Sequence, residues 1–142
     1  GGPPRRGPLA VMDRLLDVVP RHLRFSLAPG ASATRNLLLK NLSVSELPVE
    51  VVLPGPPFRL VRGAERLSPG PLRLAVEETL PLQVAIDRSA LASHSEMCCD
   101  FMTLKIELCT PLHLDLVAAP DGTSEEDMRC LVEHRLQQRG AG

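Results

Sequence analysis

The chain has no tryptophan and no tyrosine, and its whole aromatic complement is Phe25, Phe58 and Phe101. Single-strand nucleic-acid binding leans on stacking rings, so that class loses its usual tool. It also lacks a surplus of positive charge: 16 basic side chains face 17 acidic ones, for a net charge of -1. Displacing the counterions of a phosphate backbone needs such a surplus, and no nucleic-acid partner is expected. No apolar run approaches the length that spans a bilayer, so no membrane insertion is expected. Gly1 to Pro8 carries Arg and Pro but no apolar stretch, and reads as no signal peptide. The chain starts with Gly rather than Met, which leaves open a targeting signal outside it.

Cysteine is sparse. Cys98, Cys99, Cys109 and Cys130 are too few for a small secreted scaffold, and the adjacency of Cys98 and Cys99 suits a disulfide framework poorly. Free thiols in a reducing compartment are the better reading. Asn41-Leu42-Ser43 points the other way, as a glycosylation sequon, although Asn at a strand end also favours a turn.

Catalytic constellations are missing as well. His94 lies between Ser93 and Ser95 with Glu96 next, but neighbours on an extended chain point to opposite faces and make no triad. No Gly-x-Ser-x-Gly elbow occurs. Gly63 and Gly70 are isolated and match no phosphate-cradling fingerprint. Glu77-Glu78 and Glu125-Glu126 read as a turn edge and a helix start rather than as acid and base across a cleft. His94-x3-Cys98 and Cys109-x3-His113 resemble two ligand pairs, yet four residues of extended strand separate their ends by roughly 13 Å, too far for one tetrahedral ion. Glu96 and Asp100 beside the vicinal cysteines would raise a thiol pKa rather than activate it. The expectation is no enzyme, no cofactor, no metal and no small-molecule substrate.

What is present is a globular composition, 44% apolar and 23% charged, with 14 prolines that suit short strands and many turns. Leu23, Phe25 and Leu27 alternate with His22, Arg24 and Ser26. Asn36 to Leu42 is a second strand around Leu37-Leu38-Leu39, Val49 to Leu53 is a third, and Pro54-Gly55-Pro56-Pro57 stops it. Leu72, Leu74 and Val76 alternate with polar or small neighbours, as do Leu80, Leu82, Val84 and Ile86. The pattern continues in Met102, Leu104, Ile106 and Leu108, and in Leu112, Leu114 and Leu116. About seven strands with turn signals every 8–12 residues or so predict an all-β, immunoglobulin-like sandwich over residues 15–119. Residues 1–14 read as a flexible leader. The period then changes. Thr123 and Glu126 match a capping box, and Arg135 and Arg139 complement the helix dipole, so 120–142 reads as a C-terminal helix and tail.

Two features are candidates for partner binding. Arg59, Arg62, Arg66 and Arg73, opposed only by Glu65, would form a basic edge for an acidic partner such as a tubulin surface. Met128, Leu131, Val132 and Leu136 form an apolar helix stripe that would dock on this domain, on a following one or on a partner.

Val18-Val19-Pro20-Arg21-His22-Leu23-Arg24-Phe25, followed by Pro29-Gly30, resembles the opening of the ASH (Hydin-like) and major sperm protein domains. Leu37-Leu38-Leu39-Lys40-Asn41-Leu42-Ser43 resembles their second strand. Val49 to Leu53, Phe58-Arg59-Leu60 and Leu67-Ser68-Pro69-Gly70 follow the family order, and Leu80 to Ile86 resembles a later strand. Ser26 departs from the pattern, standing where a Gly often follows the Phe. The resemblance implies an immunoglobulin-like sandwich that serves as a non-catalytic scaffold module. It further implies a larger cytoplasmic protein of cilia, flagella or centrosomes, with tubulin, axonemal or centrosomal proteins as partners. Pairing along an exposed sheet edge, or contact through a loop rim, would be the physical mode. The alternative is an extracellular adhesion or receptor domain, which requires glycan at Asn41 and paired cysteines.

Overall fold

Period-two patterning produces ten strands among the residues that a computed structural model describes, 12–63, 65–66 and 70–140, with the side chains of Glu65 and Arg66 outside that description. In chain order they are β1 (Leu16–Val19), β2 (His22–Ser26), β3 (Thr34–Asn41), β4 (Leu47–Val52) and β5 (Phe58–Arg62). Then come β6 (Glu65–Arg66), β7 (Gly70–Leu74), β8 (Thr79–Ile86), β9 (Cys98–Lys105) and β10 (Leu112–Ala119), followed by helix α1 (Glu125–Gly140). The strands form two five-stranded sheets, ordered β1-β3-β8-β5-β6 and β2-β10-β9-β4-β7. All pairs are antiparallel except β2 with β10. The expected sandwich is therefore the observed one. The strand count exceeds seven because β1 and β2 are separate strands in different sheets, divided at Pro20, and because the short β6 extends the first sheet.

The two inner faces bury a core in which Leu, Val and one Met supply all of the largest fully buried side chains among the described residues. Each buried Leu or Val contributes on the order of 1.5–3 kcal/mol relative to exposure. Phe25 of β2 and Phe58 of β5 meet across the layers with ring centroids 5.6 Å apart, so two of the three aromatics join the sheets.

Three expectations need correction. Met12–Arg14 are not leader: they form a 3-10 turn whose Met12 is buried in the core, because Leu15 N–H closes the turn onto the Met12 carbonyl. The rest of the expected leader, residues 1–11, lies outside the described residues. The helix cap sits one residue later than expected. Asp127 N–H donates to Ser124 Oγ at 3.1 Å, while the Thr123 hydroxyl donates to the Pro120 carbonyl at 2.7 Å. Finally, β9 ends at Lys105. Ile106 is buried beyond it, and Leu108 is exposed in a turn at φ 66° rather than continuing the strand.

The two outer faces differ. Over the second sheet, α1 lies on β9 and β10, where Val132 packs with Phe101, Val117 and Ala119. The guanidinium of Arg139 also stands 5.2 Å from the Phe101 ring centre. Strands β9 and β10 are thus buried on both faces, which is why Phe101 to Leu104 and Leu114 to Ala119 are all buried rather than alternating. The first sheet carries no such helix among the described residues.

Candidate interaction surface

Seven large apolar side chains are exposed among the described residues: Val19, Leu38, Leu42, Val44, Val76, Leu108 and Leu136. The first five form two groups on and beside the first sheet, Val19 with Leu38 by register, and Leu42, Val44 and Val76 around one cleft. Val19 on β1 lies opposite Leu38 on β3, and Leu38 lies opposite Pro81 on β8, forming an apolar row on the outer face. Lys40 and Leu42 continue the same face of β3 by alternation. Beyond the strand end stands Val44, 96% exposed, with Val76 of the β7–β8 turn. The last two share a cleft of about 570 Å³ with Lys40, Asn41, Leu42, Ser43 and Glu77.

This rim is held rigidly by one buried polar side chain. Asn41, 1% exposed, aims its Nδ2 at the carbonyls of Ser45, Leu74 and Ala75, at 2.9, 3.1 and 3.1 Å. Its Oδ1 accepts from the Ser43 N–H at 2.8 Å and from the Ser43 hydroxyl at 2.7 Å. Asn41 thereby fastens the β3–β4 loop to the end of β7. Glu78 closes the neighbouring turn by accepting the Ala75 N–H at 2.8 Å. The sequon thus encodes loop architecture. Its amide nitrogen is spent on carbonyls, so a glycan there requires the loop pair to open.

A groove of about 460 Å³ crosses the outer face beside the row, lined by Asn36, Leu38, Gly63, Pro81, Leu82 and Gln83. Gln83 Nε2 donates to Asn36 Oδ1 at 3.1 Å across the strands. Gly63 sits at φ +62° with open space where a Cβ would stand.

The basic edge expected from Arg59, Arg62, Arg66 and Arg73 is divided. Arg59 and Arg62 lie on β5 of the first sheet, whereas Arg73 lies on β7 of the second and pairs with Glu46 at 3.0 Å. The Arg66 side chain lies outside the described residues. In the helix stripe, Val132 is buried and Met128 is partly buried against the same cluster on the second sheet. Leu131 is partly buried, and Leu136 is the exposed end of the stripe.

Chemistry-bearing groups are scattered or structural. Cys98 lies opposite Ala118 and His113 opposite Thr103, at opposite ends of the β9–β10 ladder. Cys109 is buried in the main core and His94 is exposed in a loop. Cys98, Cys99, Cys109 and Cys130 form no disulfide with one another in this structure. Burial, with the Asp115 carboxylate nearby, pushes the Cys99 thiol up to about 11. Neutral-pH alkylation with iodoacetamide is therefore expected to modify the exposed Cys130 first and Cys99 at least ~10-fold more slowly, as read by peptide mass mapping. Burial, with Arg139 and Lys105 nearby, holds the His113 imidazole below its ordinary range. Its Nδ1 lies 2.7 Å from Thr103 Oγ1.

Sequence reasoning missed one polar cluster. Asp115, 5% exposed, meets His22 Nδ1 at 2.5 Å and accepts from Arg24 at 2.6 Å. Arg24 also donates to Glu125 at 3.0 Å, in the first turn of α1. These bonds join β2, β10 and α1 as a clamp.

The sheet edges are short or occupied. β1 has 4 residues and β6 has 2, while Pro71 removes a donor from β7. On β2, the Arg24 carbonyl accepts from Arg35 Nε at 2.8 Å. Face and rim, rather than edge, are the open surfaces.

These features define an immunoglobulin-like β-sandwich with a C-terminal helix added. Among solved structures it is similar to the periplasmic chaperone SfaE, with TM-score 0.57, 9% identity, and coverage of 79% of this chain and 62% of that one. The YadV chaperone gives TM-score 0.53 at 14% identity, covering 75% of this chain and 52% of that one. The ASH/PapD-like domain 7 of human CEP192 gives TM-score 0.50 at 13% identity, covering 87% of this chain and 94% of that one. The chain thus spans roughly half to two thirds of the length of the two chaperones and nearly all of the human domain. At these identities the likeness is one of fold. No protein-family model matches the chain, and no curated protein matches it in sequence.

Proposed function

We propose that the chain is a non-catalytic protein–protein interaction module whose contact surface is the apolar strip Val19, Leu38, Leu42, Val44 and Val76. The observation that carries this reading is that five of the seven exposed large apolar side chains among the described residues lie on or beside the first sheet, Val19 and Leu38 on its strands and Val44 and Val76 on the two segments that Asn41 ties together. A contiguous apolar patch on a preorganised scaffold is the usual mark of a protein-contact surface. The finer reading is a module of a larger cytoplasmic protein of the cilium, flagellum or centrosome that engages microtubule-associated partners. Its support is the likeness of fold to the ASH/PapD-like domain of CEP192 along nearly that domain's full length.

Affinity capture from ciliated cells tests both levels. The wild-type chain is compared with a Leu38→Glu/Val44→Glu variant, both positions being solvent-facing. Microtubule-associated proteins are expected with the wild type and are expected to drop at least ~10-fold with the variant, at an unchanged melting temperature. Equal recovery by the two proteins removes the apolar strip from consideration. Loss of a strip-dependent partner that has no microtubule link removes only the ciliary assignment.

A further inference from the structure

We propose that the cleft around Leu42, Val44 and Val76 is a two-fold contact between two copies of this chain, each lodging its Val44 in the other's cleft and setting its Lys40 against the other's Glu77. This deepens the protein-binding reading above and rests on it in taking this rim for a contact surface.

A two-fold interface uses one patch that must complement itself, because residue i of one copy meets residue j of the other and j meets i. The rim beyond β3 has that property in shape. Val44 is 96% exposed and stands clear as a projection, while the half-exposed Leu42 and Val76 line a hollow of about 570 Å³ beside it. A projection and an apolar hollow on one patch fit a copy turned by half a revolution. Removing those side chains from water supplies the attraction.

The charges agree. Lys40 and Glu77 line the same cleft, and neither side chain has a hydrogen bond or ion pair with a described residue. Asp17, opposite Lys40 across β1 and β3, adds a second carboxylate. A rim carrying both signs gives a partner of one sign no advantage, whereas a second copy brings a carboxylate to each Lys40 and an ammonium to each Glu77. Asn41 ties the β3–β4 loop, which carries Val44, to the carbonyls just before Val76, so both halves meet already ordered. Seven residues line the cleft, against roughly 20–30 a side in a standard interface, which places the contact among weak and reversible ones.

Sedimentation velocity of the full chain tests the assignment, in reductant so that the exposed Cys130 forms no cross-link. As concentration rises from roughly 10 μM to roughly 1 mM, the mass is expected to climb from one chain toward two and to stop there. Val44→Asp is expected to weaken association at least ~10-fold at unchanged melting temperature. Lys40→Glu and Glu77→Lys are each expected to weaken it about 5-fold, because symmetry turns both charge contacts repulsive. Their equimolar mixture is expected to regain wild-type association, since each altered side chain then meets its opposite. A single-chain mass at every concentration, growth past two chains, indifference to Val44→Asp, or no recovery on mixing overturns the two-fold contact. These outcomes are read on the purified chain alone and leave standing the capture result, which reads partners from cells.

Discussion

Asn41→Ala is expected to lower the unfolding free energy by about 3 kcal/mol, more than any other single polar substitution in the first sheet. The side chain is 1% exposed, and its removal takes one donor from the carbonyls of Ser45, Leu74 and Ala75 and the acceptor from the Ser43 N–H, while Ser45 and Ala75 keep bonds from the Ser43 hydroxyl and the Glu78 N–H. A buried acceptor left without a donor costs on the order of 1–3 kcal/mol. The loops are near solvent, so water replaces part of this loss and the separate penalties do not add. Asn41→Asp is expected to cost at least as much at neutral pH, since it turns an acceptor toward the carbonyls that Nδ2 now serves. Urea unfolding measures both variants. A loss below about 1 kcal/mol for Asn41→Ala would show that hydration alone holds the loop pair together. The effect on binding follows from the same bonds. Val44 and Val76 sit on the two elements Asn41 joins, so a protein that folds without it would present them loosely and pay more entropy on association.

Asp115→Ala is expected to cost about 2–3 kcal/mol, because removing one partner of a buried charged pair leaves the other desolvated. The value falls at the low end because Arg24 keeps Glu125 and the His22 side chain is 70% exposed. Asp115→Asn retains an acceptor and is expected to cost about half as much. The second readout is local. Hydrogen exchange is expected to speed up in β2 and the first turn of α1 while β3 and β8 stay protected, since Arg24 reaches both Asp115 and Glu125. Uniform acceleration throughout the chain would deny the clamp its local role.

The architecture was legible because alternation is a local signal. Each of the strands β3, β4, β8 and β9 is marked by its own apolar residues, and two sheets are needed to bury them. What sequence spacing cannot carry is which strands neighbour one another. Arg59 and Arg73 read as parts of one basic edge, yet β5 and β7 belong to different sheets and Arg73 is matched to Glu46. The Leu37-Leu38-Leu39 run concealed the central residue of the candidate site, since three leucines in a row look uniformly buried. Parity was the available signal. Leu38 shares a face with Asn36 and Lys40, both exposed, and so had to point outward. The helix stripe was found correctly as apolar, but its destination depended on Phe101 and Val117 from strands paired far from it in sequence.

The guanidinium groups along β2 also bear on how copies of this molecule behave together. Arg35 already occupies the Arg24 carbonyl, and Arg88 is 3.5 Å from the carbonyl of Ser26. An incoming chain must evict those arginines before it can zip onto the strand and recruit another after it. Oily side chains displayed on a flat side can be touched and released. The same side chains along a bare strand margin would seed fibres.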